Sequence, residues 1–128
     1  MIRTLIISLL VLVIASCNKN DDDEATILGH WLVENYTEKE YDNNMLINTV
    51  VEPGGGIAYE FRSNGELIIT TPGEPAQSYF YTLPAENKII ISGQEFELRG
   101  LTTSAVALYA RDDFGPGSYE EAIINLRR

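Results

Sequence analysis

Turn residues punctuate this chain at short, fairly even intervals: Glu52-Pro53-Gly54-Gly55-Gly56, Ser63-Asn64-Gly65, Pro72-Gly73-Glu74-Pro75, Gly93 and Phe114-Gly115-Pro116-Gly117. Glycine supplies the left-handed backbone that tight turns need, and proline cannot donate to a β-ladder, so such clusters end elements. Between them lie runs rich in β-branched and aromatic side chains, at 31–37, 45–51, 57–62, 66–71, 78–83, 88–92, 95–99, 105–110 and 122–128. They are short and carry no helical period. The spacing therefore predicts an all-β, antiparallel up-and-down meander that closes into a barrel or folds into a sandwich.

One hairpin fixes a register. With Asn64-Gly65 as a two-residue loop, Phe61 would face Ile68 and leave Leu67 and Ile69 on the other side. With Ser63-Asn64-Gly65 as a three-residue loop and Gly65 left-handed, Phe61 pairs with Leu67, Tyr59 pairs with Ile69, and Arg62 opposes Glu66. The second arrangement gathers the apolar side chains on one face and an ion pair on the other, so it is preferred. The same parity turns Tyr79, Tyr81, Leu83, Ile89, Ile91, Phe96, Leu98, Val106 and Leu108 inward. Glu95, Glu97 and Arg99 then face water. The last run is ambiguous, because Ser118-Tyr119-Glu120-Glu121 also has the form of a helix capping box.

The chain opens with a different signal. Arg3 is the only charge in residues 1–16, and Leu5 to Ile14 is a nearly unbroken apolar run of ten residues. That is about half of the roughly 20 residues a membrane-spanning helix needs. Ile14-Ala15-Ser16-Cys17 follows, and the pattern resembles bacterial lipoprotein signal peptides, in which small residues precede a cysteine that is acylated and becomes the new N-terminus. A plain secretory signal is the alternative. Cys17 is the only cysteine of the chain, so neither an internal disulfide nor a Cys-rich zinc site can form. Several acyl chains on Cys17 would hold the protein lastingly to a membrane. Next, Asn18-Lys19-Asn20-Asp21-Asp22-Asp23-Glu24 offers nothing apolar to collapse on and reads as an acidic tether, 17–27. Such a run also resembles the signal that sends some Gram-negative lipoproteins to the outer leaflet of the outer membrane. It lacks the alternating spacing of a calcium loop.

From Cys17 onward the 112 residues carry eight basic and nineteen acidic side chains, a net charge of −11 with His30 neutral. One domain, 28–128, with a core independent of disulfides is expected. The charge argues against a nucleic-acid partner, whose phosphates require a basic face, and equally against adhesion to anionic lipid through the protein surface. The membrane partner is reached only through Cys17.

Gly29-His30-Trp31 at the first strand and Phe61-Arg62-Ser63-Asn64-Gly65 before an apolar strand resemble the G-x-W and F-x-x-(D/N)-G motifs of lipocalin-like barrels. The order of Leu98-Arg99-Gly100-Leu101, Val106-Ala107-Leu108 and Leu126-Arg127-Arg128 extends the likeness to the small lipocalin-like domain of exported bacterial lipoproteins, over about Gly29 to Arg128. The resemblance implies a small eight- or nine-stranded lipocalin-like barrel and tips the last segment toward a strand. It implies that Gly29 and Trp31 close the floor with an Arg laid over the indole. By parity that Arg is Arg128, or Arg127 if the strand slips by one. It further implies a small hydrophobic or amphipathic ligand in the barrel mouth, walled by Tyr59, Phe61, Ile69, Tyr79, Tyr81 and Phe96. The alternative is a barrel filled by those same side chains, acting through its surface as a structural or interaction module of the cell envelope.

No catalytic set is visible. The single histidine, His30, follows the G-x-W glycine on the face opposite Trp31, and no thiol or second histidine accompanies it. Glu95 and Glu97 face solvent rather than each other across a cleft. Gly54-Gly55-Gly56 lacks the Lys-Ser/Thr of a phosphate loop. The expectation is a monomeric, non-enzymatic lipoprotein without metal or cofactor, at the outer membrane and facing the periplasm or the cell surface.

Overall fold

The computed structural model describes residues 25–128. The apolar leader, Cys17 and the acidic run to Glu24 lie outside the described residues. Among the described residues nine strands follow one another: β1 (Gly29–Asp42), β2 (Met45–Pro53), β3 (Ala58–Phe61), β4 (Glu66–Thr70), β5 (Gln77–Ala85), β6 (Lys88–Ile91), β7 (Gln94–Arg99), β8 (Ala105–Gly115) and β9 (Ser118–Arg127). All pairings are antiparallel. The sheet order is β2-β1-β3-β4-β5-β6-β7-β8-β9, and β9 pairs back to β1. Eight strands, β1 and β3 to β9, thus close a barrel, and β2 is an additional strand outside it. The C-terminal segment is a strand, not a helix: its capping-box residues pair with both neighbours, Glu120 with Glu40 of β1 and with Asp112 of β8.

The β3–β4 hairpin has the three-residue loop. Tyr59 pairs with Ile69 and Phe61 with Leu67, Gly65 has φ +86, and the Arg62 amide donates to the Glu66 carbonyl at 2.8 Å. On the outer face Arg62 Nη1 lies 3.0 Å from Glu66 Oε1. His30 also faces out, with Nε2 2.9 Å from Glu60 Oε2.

Strand β1 serves two partners along one edge. Gly29 to Leu32 pair with β3, and Asn35 to Asp42 pair with β2. The exchange takes place where the Val33 amide donates to the Ile57 carbonyl and the Gly54 amide donates to the Glu34 carbonyl. There the backbones pass so closely that a Cβ on Gly54 would stand 1.7 Å from the Val33 oxygen, so only glycine fits. Along the other edge Val33 pairs with Leu126 and Asn35 with Asn125, leaving Glu34 as a bulge. The Asn125 side-chain amide donates to Asn35 Oδ1 at 2.7 Å, just past it.

Strands β1, β8 and β9 run well beyond the limits read from the sequence, which ended them at 37, at 110 and at 122. With β2 their outer halves form a four-stranded wing, in the order β2-β1-β9-β8, that extends the barrel wall. The polar composition of Glu38–Asp42, Arg111–Asp113 and Ser118–Glu121 hides these strands. Cross-strand pairs hold them instead. Tyr41 and Tyr119 stack with centroids 4.4 Å apart, Arg111 lies 3.7 Å over the Tyr119 ring, and Arg99 lies 3.5 Å over Tyr109. The wing's two hairpin tips are joined by the Asn44 amide to the Gly117 carbonyl and by Ser118 Oγ to Asp42 Oδ1 at 2.9 Å.

The core fills the end of the barrel from which β1 starts. Ile27, Trp31, Phe61, Leu67, Tyr81, Ile89, Leu98, Val106, Leu108 and Leu126 are buried there, with Leu67, Ile89 and Leu108 fully so. Ile27 falls within the stretch read from the sequence as tether, yet it is 2 % exposed, so the packed domain begins there. Leu83, which alternation turns inward, is half exposed because the β5–β6 register shifts between Thr82 and Ala85.

Candidate functional site

The two ends of the barrel differ. At the floor, the Trp31 indole N–H donates to the Ile27 carbonyl at 2.8 Å, and the Arg128 guanidinium lies 4.0 Å from the ring centroid. Arg128 also donates to the carbonyls of Thr26 at 3.0 Å, Leu28 at 2.6 Å and Thr103 at 2.8 Å. Gly29, with φ +110, leaves room for it, since a Cβ there would stand 3.0 Å from Arg128 Nη1. Gly29, Trp31 and Arg128 thus come together as a seal. Arg127 does not take part; its register partners are Leu32 and Ala105.

At the opposite end the inner wall opens into a cavity of about 280 Å3 lined by Tyr59, Leu67, Ile69, Tyr79, Ile91, Ser92, Gln94, Phe96 and Ile124. A second recess of about 250 Å3 adjoins it, sharing Tyr59 and Ile124 and adding Val33, Tyr36, Glu52, Pro53, Gly54 and Ile57. Of the six residues expected to wall a mouth, the structure brings Tyr59, Ile69, Tyr79 and Phe96 around this cavity. Phe61 and Tyr81 are not there. They have the right face but lie deeper, edge to face at 5.3 Å in the core, with the Tyr81 hydroxyl donating to the Arg62 carbonyl at 2.5 Å.

The hydroxyls of the mouth differ in partner. Tyr79 donates to Gln77 Oε1 at 2.6 Å and Tyr36 to Glu38 Oε1 at 2.7 Å. Tyr59 has no hydrogen-bond partner among the described residues, so its hydroxyl is open to water or a ligand. Burial, and after it the neighbouring Tyr79, pushes the Tyr59 pKa up. The hydrogen bond to Glu38, then burial and the charges of Glu38 and Glu52, push that of Tyr36 up to about 12. A mouth of this kind can hold an apolar body against aromatic and aliphatic walls and offer a few polar contacts at its rim.

Tyr36, Glu52, Leu67, Ile91 and Ile124 were not among the expected wall residues. Ile124 sits in the segment whose helix or strand character was open. Tyr36 faces inward only because the Glu34 bulge reverses the parity that runs from Trp31. Leu67, Ile91 and the inward parity of their strands were legible, but not their depth. Among the described residues no three His, Cys, Asp or Glu side chains are grouped to hold a metal ion. A wider depression, of about 570 Å3, lies at the floor end against Ala25, Thr26 and Ile27, and none of the expected wall residues reaches it.

Comparison with protein-family models, with curated proteins and with solved structures finds no match to this chain, so the reading of the mouth rests on its own geometry.

Proposed function

We propose that this chain is a lipoprotein, anchored in the outer membrane through acylated Cys17, whose lipocalin-like barrel binds a small hydrophobic or amphipathic molecule at the open mouth. The observation that carries this reading is the cavity among Tyr59, Ile69, Tyr79 and Phe96, an apolar recess with a hydroxyl that has no partner among the described residues, at the end opposite the sealed floor. The Ile14-Ala15-Ser16-Cys17 motif supports the anchor and the leader of residues 1–16 before it. The role is non-enzymatic, and the net charge of −11 argues against a nucleic-acid partner.

A filled barrel without a ligand, serving as an envelope interaction module, is favoured by one observation. The lower half is packed solid, and a mouth of about 280 Å3 stands at the small end of the range of roughly 300–1,000 Å3 for ligand pockets. Native mass spectrometry of residues 25–128, whose core closes among its own side chains, separates the two. A stoichiometric small molecule that is lost in Ile69→Trp supports the binding reading. A bare mass that stays bare after incubation with lipids, sterols and short-chain amphiphiles overturns it and leaves the filled barrel.

A further inference from the structure

We infer that the ligand of the barrel mouth is a cationic amphiphile, a short apolar chain or ring system carrying an ammonium-type head, with the head held over the inner face of the wing. The inference rests on the binding reading above and names the chemistry of its ligand.

Cross-strand partners share a face, and the register carries the inner wall outward from the mouth. Ile124, which lines the cavity, pairs with Tyr36 and Leu108, and Tyr36 pairs with Glu52. One step further out on the same face come Glu38, Ala122, Ala110 and Val50. The next step brings Glu40, Glu120 and Asp112. The wall thus passes from apolar, through small alanines, to carboxylates, and it does so without a break in the sheet. A molecule seated with its tail against Tyr59 and Phe96 would place its head beside Tyr36, Glu38 and Glu52.

Among the described residues no cation answers these carboxylates. Lys39 and Arg111 pair with Glu121 across β1, β9 and β8, which puts them on the wing's other face. Arg62, Lys88, Arg99, Arg127 and Arg128 stand at the floor end of their strands. Arg62, Lys88, Arg99 and Arg111 already face carboxylates within 4 Å. Glu38, Glu40, Glu52, Asp112 and Glu120 take part in no ion pair among the described residues. An anionic head, such as a fatty-acid carboxylate, would meet only like charge here. An ammonium head would meet opposite charge and the Tyr36 ring, which attracts cations over its face.

The test compares three amphiphiles with the same tail, n-octyltrimethylammonium, n-octyl glucoside and n-octanoate. Each is titrated calorimetrically into residues 25–128 at low ionic strength and below micelle formation. The cationic probe is expected to bind at least about tenfold more tightly than octanoate, with the glucoside between them, and the preference is expected to shrink as salt rises. Glu38→Gln/Glu52→Gln should reduce it to about threefold or less. Glu95→Gln/Glu97→Gln, on the outer face, should leave it unchanged.

Octanoate binding as tightly as the cation, or the outer-face variant loosening the cation as much as the inner one does, would overturn the inference while leaving the mouth a binding site. Failure of all three probes to bind would remove the binding reading itself.

Discussion

Trp31 is 1 % exposed, and its side chain has one polar atom, which is satisfied by the Ile27 carbonyl. Trp31→Ala should cost about 3–5 kcal/mol, the range for emptying an aromatic site in a core. Trp31→Phe keeps most of the volume but strands the carbonyl, a loss of about 1–3 kcal/mol. Arg128 is more exposed, so its three carbonyl contacts and its stack on the indole are weakened by solvent. Arg128→Ala should cost about 1–2 kcal/mol, and Arg128→Lys should recover little, because an ammonium cannot reach three carbonyls as a planar fork does. Urea titrations would read these differences. An Arg128→Ala midpoint equal to that of the parent would show that the seal holds without the guanidinium. Neither residue touches the mouth, so the proposed ligand binding, measured well below the unfolding transition, should survive substitution at either position.

At the scale of strands, the decisive event is a single residue. Glu34 is the bulge that lets β1 leave β3 for β2 and that turns Tyr36 and Glu38 onto the inner face. Deleting Glu34 would shift every later side chain of β1 to the opposite face, sending Lys39 and Tyr41 inward. A loss of more than about 3 kcal/mol, or failure to fold, is expected, whereas Glu34→Ala keeps the bulge and should change stability by about 0.5 kcal/mol or less. Strand β2 is exposed along its whole length, so Thr49→Ala should be equally mild. Thermal melts of the three variants check the ranking, and a deletion as mild as the substitutions would show that the bulge does not set the register.

The same strand marks the limit of what alternation could reveal. The β3–β4 hairpin was legible because Ser63-Asn64-Gly65 and the Arg62–Glu66 pair allow one sensible register. The bulge leaves no mark in the sequence around Glu34, and its partner Gly54 looks like one more loop glycine in Gly54-Gly55-Gly56. Period-two reasoning assigns a face but not a height along the barrel. It therefore grouped Phe61 with Tyr59 and Tyr81 with Tyr79, although the first of each pair is floor and the second is mouth. The wing was missed because polar strands held by tyrosine and arginine pairs carry no apolar stripe.

Across the whole molecule, tyrosine ionisation couples the fold to alkaline pH. The folded state raises the pKa of Tyr36 and Tyr109 from 10.0 to about 12. It also raises Tyr41, chiefly by a hydrogen bond to Glu121, and Tyr59 and Tyr81, chiefly by burial. A raised pKa means that the fold holds protons the unfolded chain gives up. The associated stability is whole below pH 10 and drains away as pH climbs toward 12. Added negative charge on a chain whose formal net charge is already −10 acts in the same direction. Urea midpoints should therefore fall steeply between about pH 10 and about pH 12, and less steeply in Tyr36→Phe/Tyr109→Phe. Identical slopes for parent and variant would show that Tyr36 and Tyr109 do not carry the loss.

The packed domain begins at Ile27, beside the sealed floor, while the mouth and the wing occupy the other end. On the proposed anchor at Cys17, the chain would join the barrel at its closed base, so the opening would lie at the end remote from the attachment. A molecule entering the proposed mouth would then do so without crossing the point where the leash begins.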